Sequence, residues 1–312
     1  MRRAIFVISP AGIRHLEALV RHCREAAEAY GWTAEVLVTE EGERSAELHH
    51  DLSEYASDEG EKLVFAVGGD GTVRACAHDL AHSGVPLSIV PRGTANLFAK
   101  AIGIPGELGR ALRTGFAGEE RLVDVAFAGG QPFVAMAGIG VDAAVVEATP
   151  RLWKEHLGWL GYAATGLAHL ASPSCEMTLC LDGGEPVSRH ARTVVIGNVG
   201  TLPGGFTLLS GASVDDGLLD VGVLEPKGLP GWVALARLVV AGREVPGHFA
   251  HFRASKVEVT SSVDLPRQLD GDLLPPSNSL KVELHHKALL VKAPRHPRGI
   301  SPAQRSLELP YG

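Results

Sequence analysis

The first 125 residues alternate strand-like and helix-like patterns of apolar positions. Short β-rich runs at Arg3–Ser9 (RAIFVIS), Thr33–Val38, Lys62–Val67 (KLVFAV) and Leu87–Val90 alternate with segments of helical spacing. Ile13, Leu16, Leu19, Val20, Cys23 and Ala27 recur at spacings of 3, 3, 1, 3 and 4, one helical face that Gly31 ends. Glu43 to about Ser57 predicts a second, more polar helix. This alternation predicts an open, parallel α/β sheet covered by helices. Ligands of such sheets sit beyond the carboxyl ends of the strands.

After about Asp124 the texture changes. Strand-like runs separated by turn residues follow at Gln131–Met136, Glu176–Leu181, Thr193–Ile196, Leu218–Leu224, Lys256–Thr260 and Leu280–Leu284. Helical stretches at Arg151–Leu170 and Gly231–Gly242 interrupt them. The pattern predicts a second, mainly antiparallel β domain of sandwich type. The expected division is 1–124, 125–293 and a Pro- and charge-containing tail, 294–312, which either projects as an arm or packs back on the first domain.

A chain of 312 residues with 45% hydrophobic and 21% charged residues suits two globular domains. The net charge of −7 argues against a nucleic-acid binder, which needs a surplus of Lys and Arg. Cys23, Cys76, Cys175 and Cys180 lack metal-ligand spacing and read as reduced thiols. The start, Met1-Arg2-Arg3, has no signal-peptide pattern, and no window reaches ~18 uninterrupted apolar residues. A cytoplasmic protein without a transmembrane segment is expected.

Two segments carry candidate chemistry. Gly68-Gly69-Asp70-Gly71-Thr72 follows the third strand directly, so its glycines let backbone N–H groups approach an anion. A helix starting near Thr72 would add its N-terminal dipole. Gly-Gly-Asp-Gly is also ordinary turn chemistry, and no Gly-Lys-Ser/Thr follows to make a Walker loop. Pro91-Arg92-Gly93-Thr94-Ala95-Asn96 follows the fourth strand, and a Pro/Gly turn with a capping Thr explains it equally well. The 14 histidines read as solvated or core residues. Trp153, Leu157, Trp159, Leu160 and Tyr162, with Trp232, Leu235, Leu238 and Val239, read mainly as core. A lipid channel or membrane-resting surface is the functional alternative.

Taken in order, Gly68–Thr72, Pro91–Asn96, Gly103-Ile104-Pro105, Ala137–Ala143, Ala212–Asp220 and Leu269-Asp270-Gly271-Asp272 resemble the diacylglycerol kinase catalytic domain family. That family includes soluble bacterial lipid kinases and, more distantly, the sphingosine and ceramide kinases. The resemblance spans roughly residues 4–290. It implies an ATP-binding α/β domain, a β-rich lipid-facing domain and an active site in the cleft between them. ATP would be bound by Ser9, Thr39, Gly68, Gly69, Asp70, Gly71, Thr72, Thr94 and Asn96. Asp272 would be the general base for the lipid hydroxyl, and Asp70 a second essential carboxylate. Ser213, Asp216 and Leu218 would hold a structural Mg2+, two of them through backbone carbonyls, and Asp124 would join a network linking metal and active site. The lipid would be met at a membrane surface by a peripheral protein, with homodimerisation left open.

The sequence departs from the family pattern at several points. Ser9-Pro10 replaces the usual Asn-Pro, and Arg74-Ala75 replaces an Asn-Glu pair. Leu97 stands for a common Asp, and Asp272 for the more usual Glu. Two rival readings remain: an NAD-kinase-like kinase of a soluble acceptor, and a weakly catalytic nucleotide- or lipid-binding regulator.

Overall fold

The computed structural model describes residues 2–39, 52, 54–57, 59–140, 174–202, 205, 207–227, 231 and 248–295. Most of the helix expected over 43–57 lies outside them. So do the helical stretches at 151–170 and 232–242 with their aromatic residues, His49-His50, residues 141–143 and the tail beyond 295.

The first domain follows its periodicity. Strand β1 (Arg2–Ile8) pairs in parallel with β2 (Thr33–Val38) and with β3 (Glu61–Gly68), and β3 pairs in parallel with β4 (Leu87–Pro91). The order β2-β1-β3-β4 places a topological switch between β1 and β3. Strands β3 and β4 are almost entirely buried, because helices cover them, so their runs are continuously apolar instead of alternating. Helix α1 (Leu16–Ala29) buries Leu19, Cys23 and Ala27, three members of the predicted face. Helices α2 (Asp70–Leu80), α3 (Leu97–Ala101) and α4 (Leu108–Ala117) follow. Phe6 and Phe65 stack at 4.5 Å, and Phe116 from α4 lies 4.8 Å from Phe65.

The second part is antiparallel, as predicted. Strands β5 (Glu119–Ala128), β6 (Gln131–Phe133), β7 (Met136–Gly140), β8 (Cys175–Leu181), β9 (Val187–Ala191), β10 (Thr193–Gly197), β11 (Leu219–Leu224), β12 (Phe249–Ala254), β13 (Lys256–Leu269) and β14 (Asp272–Ala293) build it. The run expected as one strand over Gln131–Met136 divides into β6 and β7. The backbone N–H groups of Val134, Ala135 and Met136 turn away from any ladder and donate to the Asp270 carboxylate instead.

The runs Lys256–Thr260 and Leu280–Leu284 are pieces of two longer strands. β13 and β14 form a hairpin whose register closes on Leu269↔Asp272, leaving a two-residue turn. Asp270 (φ +48°) and Gly271 (φ +86°) supply the two left-handed positions such a turn needs. The apolar pattern breaks at Pro275-Pro276-Ser277-Asn278-Ser279, where the structure continues as strand. β14 then pairs with β5 and reaches β4 in parallel at Val291↔Leu87, so one 14-stranded sheet runs through both parts of the chain. Among the described residues no helix is long and apolar enough to cross a membrane.

Helix α4 meets the sheet at Gly115. A Cβ there would overlap Phe65 Cε1 and Ser88 Oγ and lie 2.6 Å from Phe65 Cζ. Helix propensity alone favours Ala over Gly by about 1 kcal/mol. Overpacking of a ring between helix and sheet costs more, so Gly115→Ala is expected to destabilise the protein by about 2 kcal/mol. Urea unfolding measures the sign; a stabilised variant would contradict this packing.

Candidate active site

The residues proposed for nucleotide binding gather at the carboxyl ends of the four parallel strands. Ser9 follows β1 and donates its N–H to Val67 O at 3.0 Å. Thr39 follows β2 and donates its N–H to Ile8 O at 2.9 Å. Gly68 ends β3, and its carbonyl accepts the Arg92 N–H from the loop after β4 at 2.8 Å. These cross-links hold the strand ends together where a ligand of this sheet type sits.

Helix α2 begins immediately, with Gly69 as N-cap and no side chain bonded to its end. Its first-turn N–H groups therefore present partial positive charge without a capping side chain. Gly69 and Gly93 explain the glycines: a Cβ on Gly69 would lie 3.2 Å from Gly93 Cα, and a Cβ on Gly93 would overlap Gly69 Cα. The two loops touch backbone to backbone at Gly69 and Gly93, a glycine cradle edged by Thr72 and Asn96 that fits the phosphates of a nucleotide.

Two of the proposed ligands instead shape the cradle. Asp70 accepts the N–H groups of Leu97 at 3.0 Å and Phe98 at 3.1 Å, capping α3. Burial pushes its carboxyl upward, and those two amides pull it back. Asn96 (φ +47°) accepts the Gly93 N–H at 3.0 Å and returns a bond to Gly93 O at 2.7 Å. Thr94 is exposed on the same loop, and Gly71 and Thr72 lie in the first turn of α2.

The β13–β14 hairpin brings Asp272 to this cradle. A methyl on Gly71 would lie 3.9 Å from Asp272 Oδ2. Two anchors hold the hairpin tip. Asp270 accepts Val134 N–H at 2.9 Å, Ala135 N–H at 2.8 Å and Met136 N–H at 2.9 Å. Burial pushes its carboxyl up to about 6, against the pull of those amides and of Arg74. Arg74, buried on α2, donates to Leu269 O at 2.6 Å and to Asp272 Oδ2. Asp272 itself stays half-exposed, facing the cleft.

The segment proposed for Mg2+ is compact but occupied by protein partners. Asp216 accepts the Leu218 N–H at 3.1 Å through Oδ1, while Arg253 Nη2 donates to Oδ2. Ser213 Oγ donates to Asp215 Oδ1 at 2.8 Å, and Arg121 clasps Asp215 Oδ2 at 2.7 and 3.0 Å. Arg253 Nε also lies 3.6 Å from Asp220, whose Oδ1 pairs with His251 Nε2 at 2.7 Å. A guanidinium thus already pairs with the Asp216 carboxylate, and in this arrangement that side chain does not fit Mg2+. Among the described residues no group of three or more His, Cys, Asp or Glu side chains could hold a metal ion. Asp124, fully buried, accepts from Gly217 N at 2.8 Å, His286 Nδ1 at 2.8 Å and Lys287 N at 2.7 Å. It ties this loop to a bend in β14.

Residues 3–128 match the family described as the diacylglycerol kinase catalytic domain, and residues 135–292 match the YegS C-terminal NAD kinase beta sandwich-like domain. The chain is 33% identical over 296 residues to a YegS-like probable lipid kinase of Pseudomonas fluorescens, covering 94% of this chain and 96% of that one. The chain belongs to the diacylglycerol kinase family. It is 27% identical over 278 residues to the diacylglycerol kinase of Bacillus subtilis, covering 87% of this chain and 90% of that one. A crystal structure of a diacylglycerol kinase from Bacillus anthracis shares the fold, with a TM-score of 0.70 at 22% identity and 97% of each chain covered. Family membership makes this a kinase-type phosphotransferase with an NAD-kinase-like second domain.

Several residues that hold this arrangement together carried little signal in the sequence. Arg74 stood out in the sequence only as a departure, and Arg121, Arg253 and His286 carried no local signal. Asp270 lay inside a recognised motif, yet its role as an anchor for three amides depends on a loop 134–136 positions earlier.

If Arg253 supplies the cation at Asp216, magnesium added without nucleotide leaves the thermal midpoint unchanged, and Arg253→Ala makes the midpoint magnesium-dependent. A wild-type midpoint that rises with magnesium, and loses that rise in Asp216→Ala, would contradict the arrangement. Differential scanning calorimetry with magnesium or a chelator reads both.

Proposed function

We propose that this protein transfers the γ-phosphate of ATP to the hydroxyl of a lipid, with diacylglycerol the first acceptor to test. The observation that carries the reading is the approach of Asp272 to Gly71, which sets a half-exposed carboxylate beside an uncapped helix N-terminus and a glycine cradle. Phosphoryl transfer needs little covalent help from a protein. It needs the phosphates oriented, their charge met and the attacking hydroxyl relieved of its proton.

In this reading residues 1–124 carry the nucleotide and residues 125–293 the lipid. ATP is taken as its magnesium complex, which partly neutralises the phosphate charge. The amides of Gly69–Gly71, the Thr72 hydroxyl and the exposed Thr94 face the phosphates, with Ser9 and Thr39 at the neighbouring strand ends. The lipid oxygen attacks the γ-phosphorus, its proton passes to a carboxylate oxygen of Asp272, and the bond to the β-phosphate oxygen breaks to release ADP. Asp70 works through the loop it caps, since both its oxygens are engaged by backbone amides. The acceptor is met at a membrane surface, with the protein peripheral to it.

The NAD kinase likeness of the second domain motivates one rival, a soluble nucleotide acceptor. Labelled ATP offered with micellar diacylglycerol, other hydroxyl lipids, NAD and no acceptor separates the two. Label in phosphatidate or another phospholipid is expected; label in NADP alone would sink the lipid reading. Asp272→Asn is expected to lower kcat about a hundredfold or more with KM for ATP little changed. Full turnover in that variant would remove Asp272 from the chemistry.

A further inference from the structure

Two departures from the family pattern, Arg74 and Asp272, lie 198 residues apart in sequence and meet in the fold. We propose that Arg74 is the positioning residue for Asp272, fixing its carboxylate over the first turn of α2. The inference rests on the reading of Asp272 as the base and adds a group that acts through it.

The geometry is specific. Arg74 sits one helical turn after Asp70 on α2, so the two side chains leave the same face of the helix. Asp70 reaches the N-terminus of α3, and Arg74 reaches the hairpin. The guanidinium splits its donors between Leu269 O, just before the turn, and Asp272 Oδ2, just after it. It therefore reads the hairpin tip from both sides and sets its height above Gly71. Two acceptors at fixed separation suit a planar fork and not a single ammonium point.

Burial makes the contact obligatory. Arg74 is 8% exposed. A guanidinium so placed requires partners, because an uncompensated buried charge is costly. Among the described residues its partners belong to the turn at 269–272: one carbonyl, the Asp272 carboxylate and, electrostatically, Asp270. Only Oδ2 of Asp272, the oxygen nearest Gly71, is held by Arg74, and the side chain is half-exposed, so the carboxylate keeps an open side. An aspartate is a short arm with few rotamers. Held at one oxygen, it presents the other in a fixed direction, which is the condition under which proximity to a reacting group becomes a rate effect.

The test compares the full-length wild type with Arg74→Gln, Arg74→Lys, Asp272→Asn and the Arg74→Gln/Asp272→Asn double variant. Each is assayed with ATP and micellar diacylglycerol, or the panel lipid that wild type phosphorylates, and thermal melts are run alongside. Arg74→Gln is expected to lower kcat about 10- to 100-fold with KM for ATP within about twofold, and Arg74→Lys to recover part of that loss. The double variant is expected to fall only about threefold or less below Asp272→Asn, since both changes remove one unit. Should Arg74→Gln fail to fold, Arg74→Lys decides, because it keeps the charge but not the two-point geometry. Wild-type kcat in the folded Arg74 variants beside an impaired Asp272→Asn would overturn the inference and leave the base reading standing. Full rate in Asp272→Asn, or no lipid phosphorylated by wild type, would overturn both.

Discussion

Three successive backbone amides, those of Val134, Ala135 and Met136, converge on the carboxylate of Asp270 at a hairpin tip far along the chain. Each amide would otherwise be a buried donor without a partner, at a cost of about 1–3 kcal/mol. The contact therefore fixes where the β13–β14 hairpin lies against the entrance to the second domain. Arg74 holds the other side of the same tip to helix α2. Between these anchors the hairpin can present Asp272 to the glycine cradle in one way only. The cleft is a consequence of that double docking, and the long strand β14 carries it back into the parallel sheet beside β4.

The cradle has its own internal logic. The strand ends of β1, β2 and β3 are laced together by backbone bonds from Ser9, Thr39 and Arg92. Gly69 and Gly93 allow two loops to touch where any side chain would hold them apart. Asp70 and Asn96 use their polar groups on neighbouring backbone, so the loop after β4 is shaped before any nucleotide arrives. Orientation of this kind is what a phosphotransferase site contributes most. In the proposed function the first domain supplies orientation, and the second supplies the proton acceptor and the lipid.

The sequence disclosed the parts whose signals are local. Short β-rich runs and one face of helical spacing located β1 to β4 and α1, and the Gly68–Thr72 and Pro91–Asn96 segments lie at strand ends because the chain reaches them directly from β3 and β4. Asp270-Gly271 is the kind of residue pair a two-residue hairpin turn favours, and the chain turns there. What stayed hidden is non-local. The split between β6 and β7 comes from a carboxylate at Asp270, and β14 runs through Pro275-Pro276 because its partners on β13 and β5 override the local pattern. The same holds for the acidic loop. The family resemblance implied a cation at Ser213, Asp216 and Leu218, but Arg121 on β5 and Arg253 on β12 lie beside this loop only because the folded sheet brings them there. Charge complementarity between distant strands leaves no spacing rule to read.

The double docking of the hairpin is tested most directly by amide hydrogen exchange in wild type and Asp270→Ala. The account predicts that Val134, Ala135 and Met136 are protected in wild type and exchange about a hundredfold faster or more in the variant, as loss of several charge-assisted bonds requires. Amides in β1 and β3 should keep their protection. Unchanged protection at 134–136, or uniform loss across both domains, would contradict the claim that this carboxylate locally sets the geometry of the cleft.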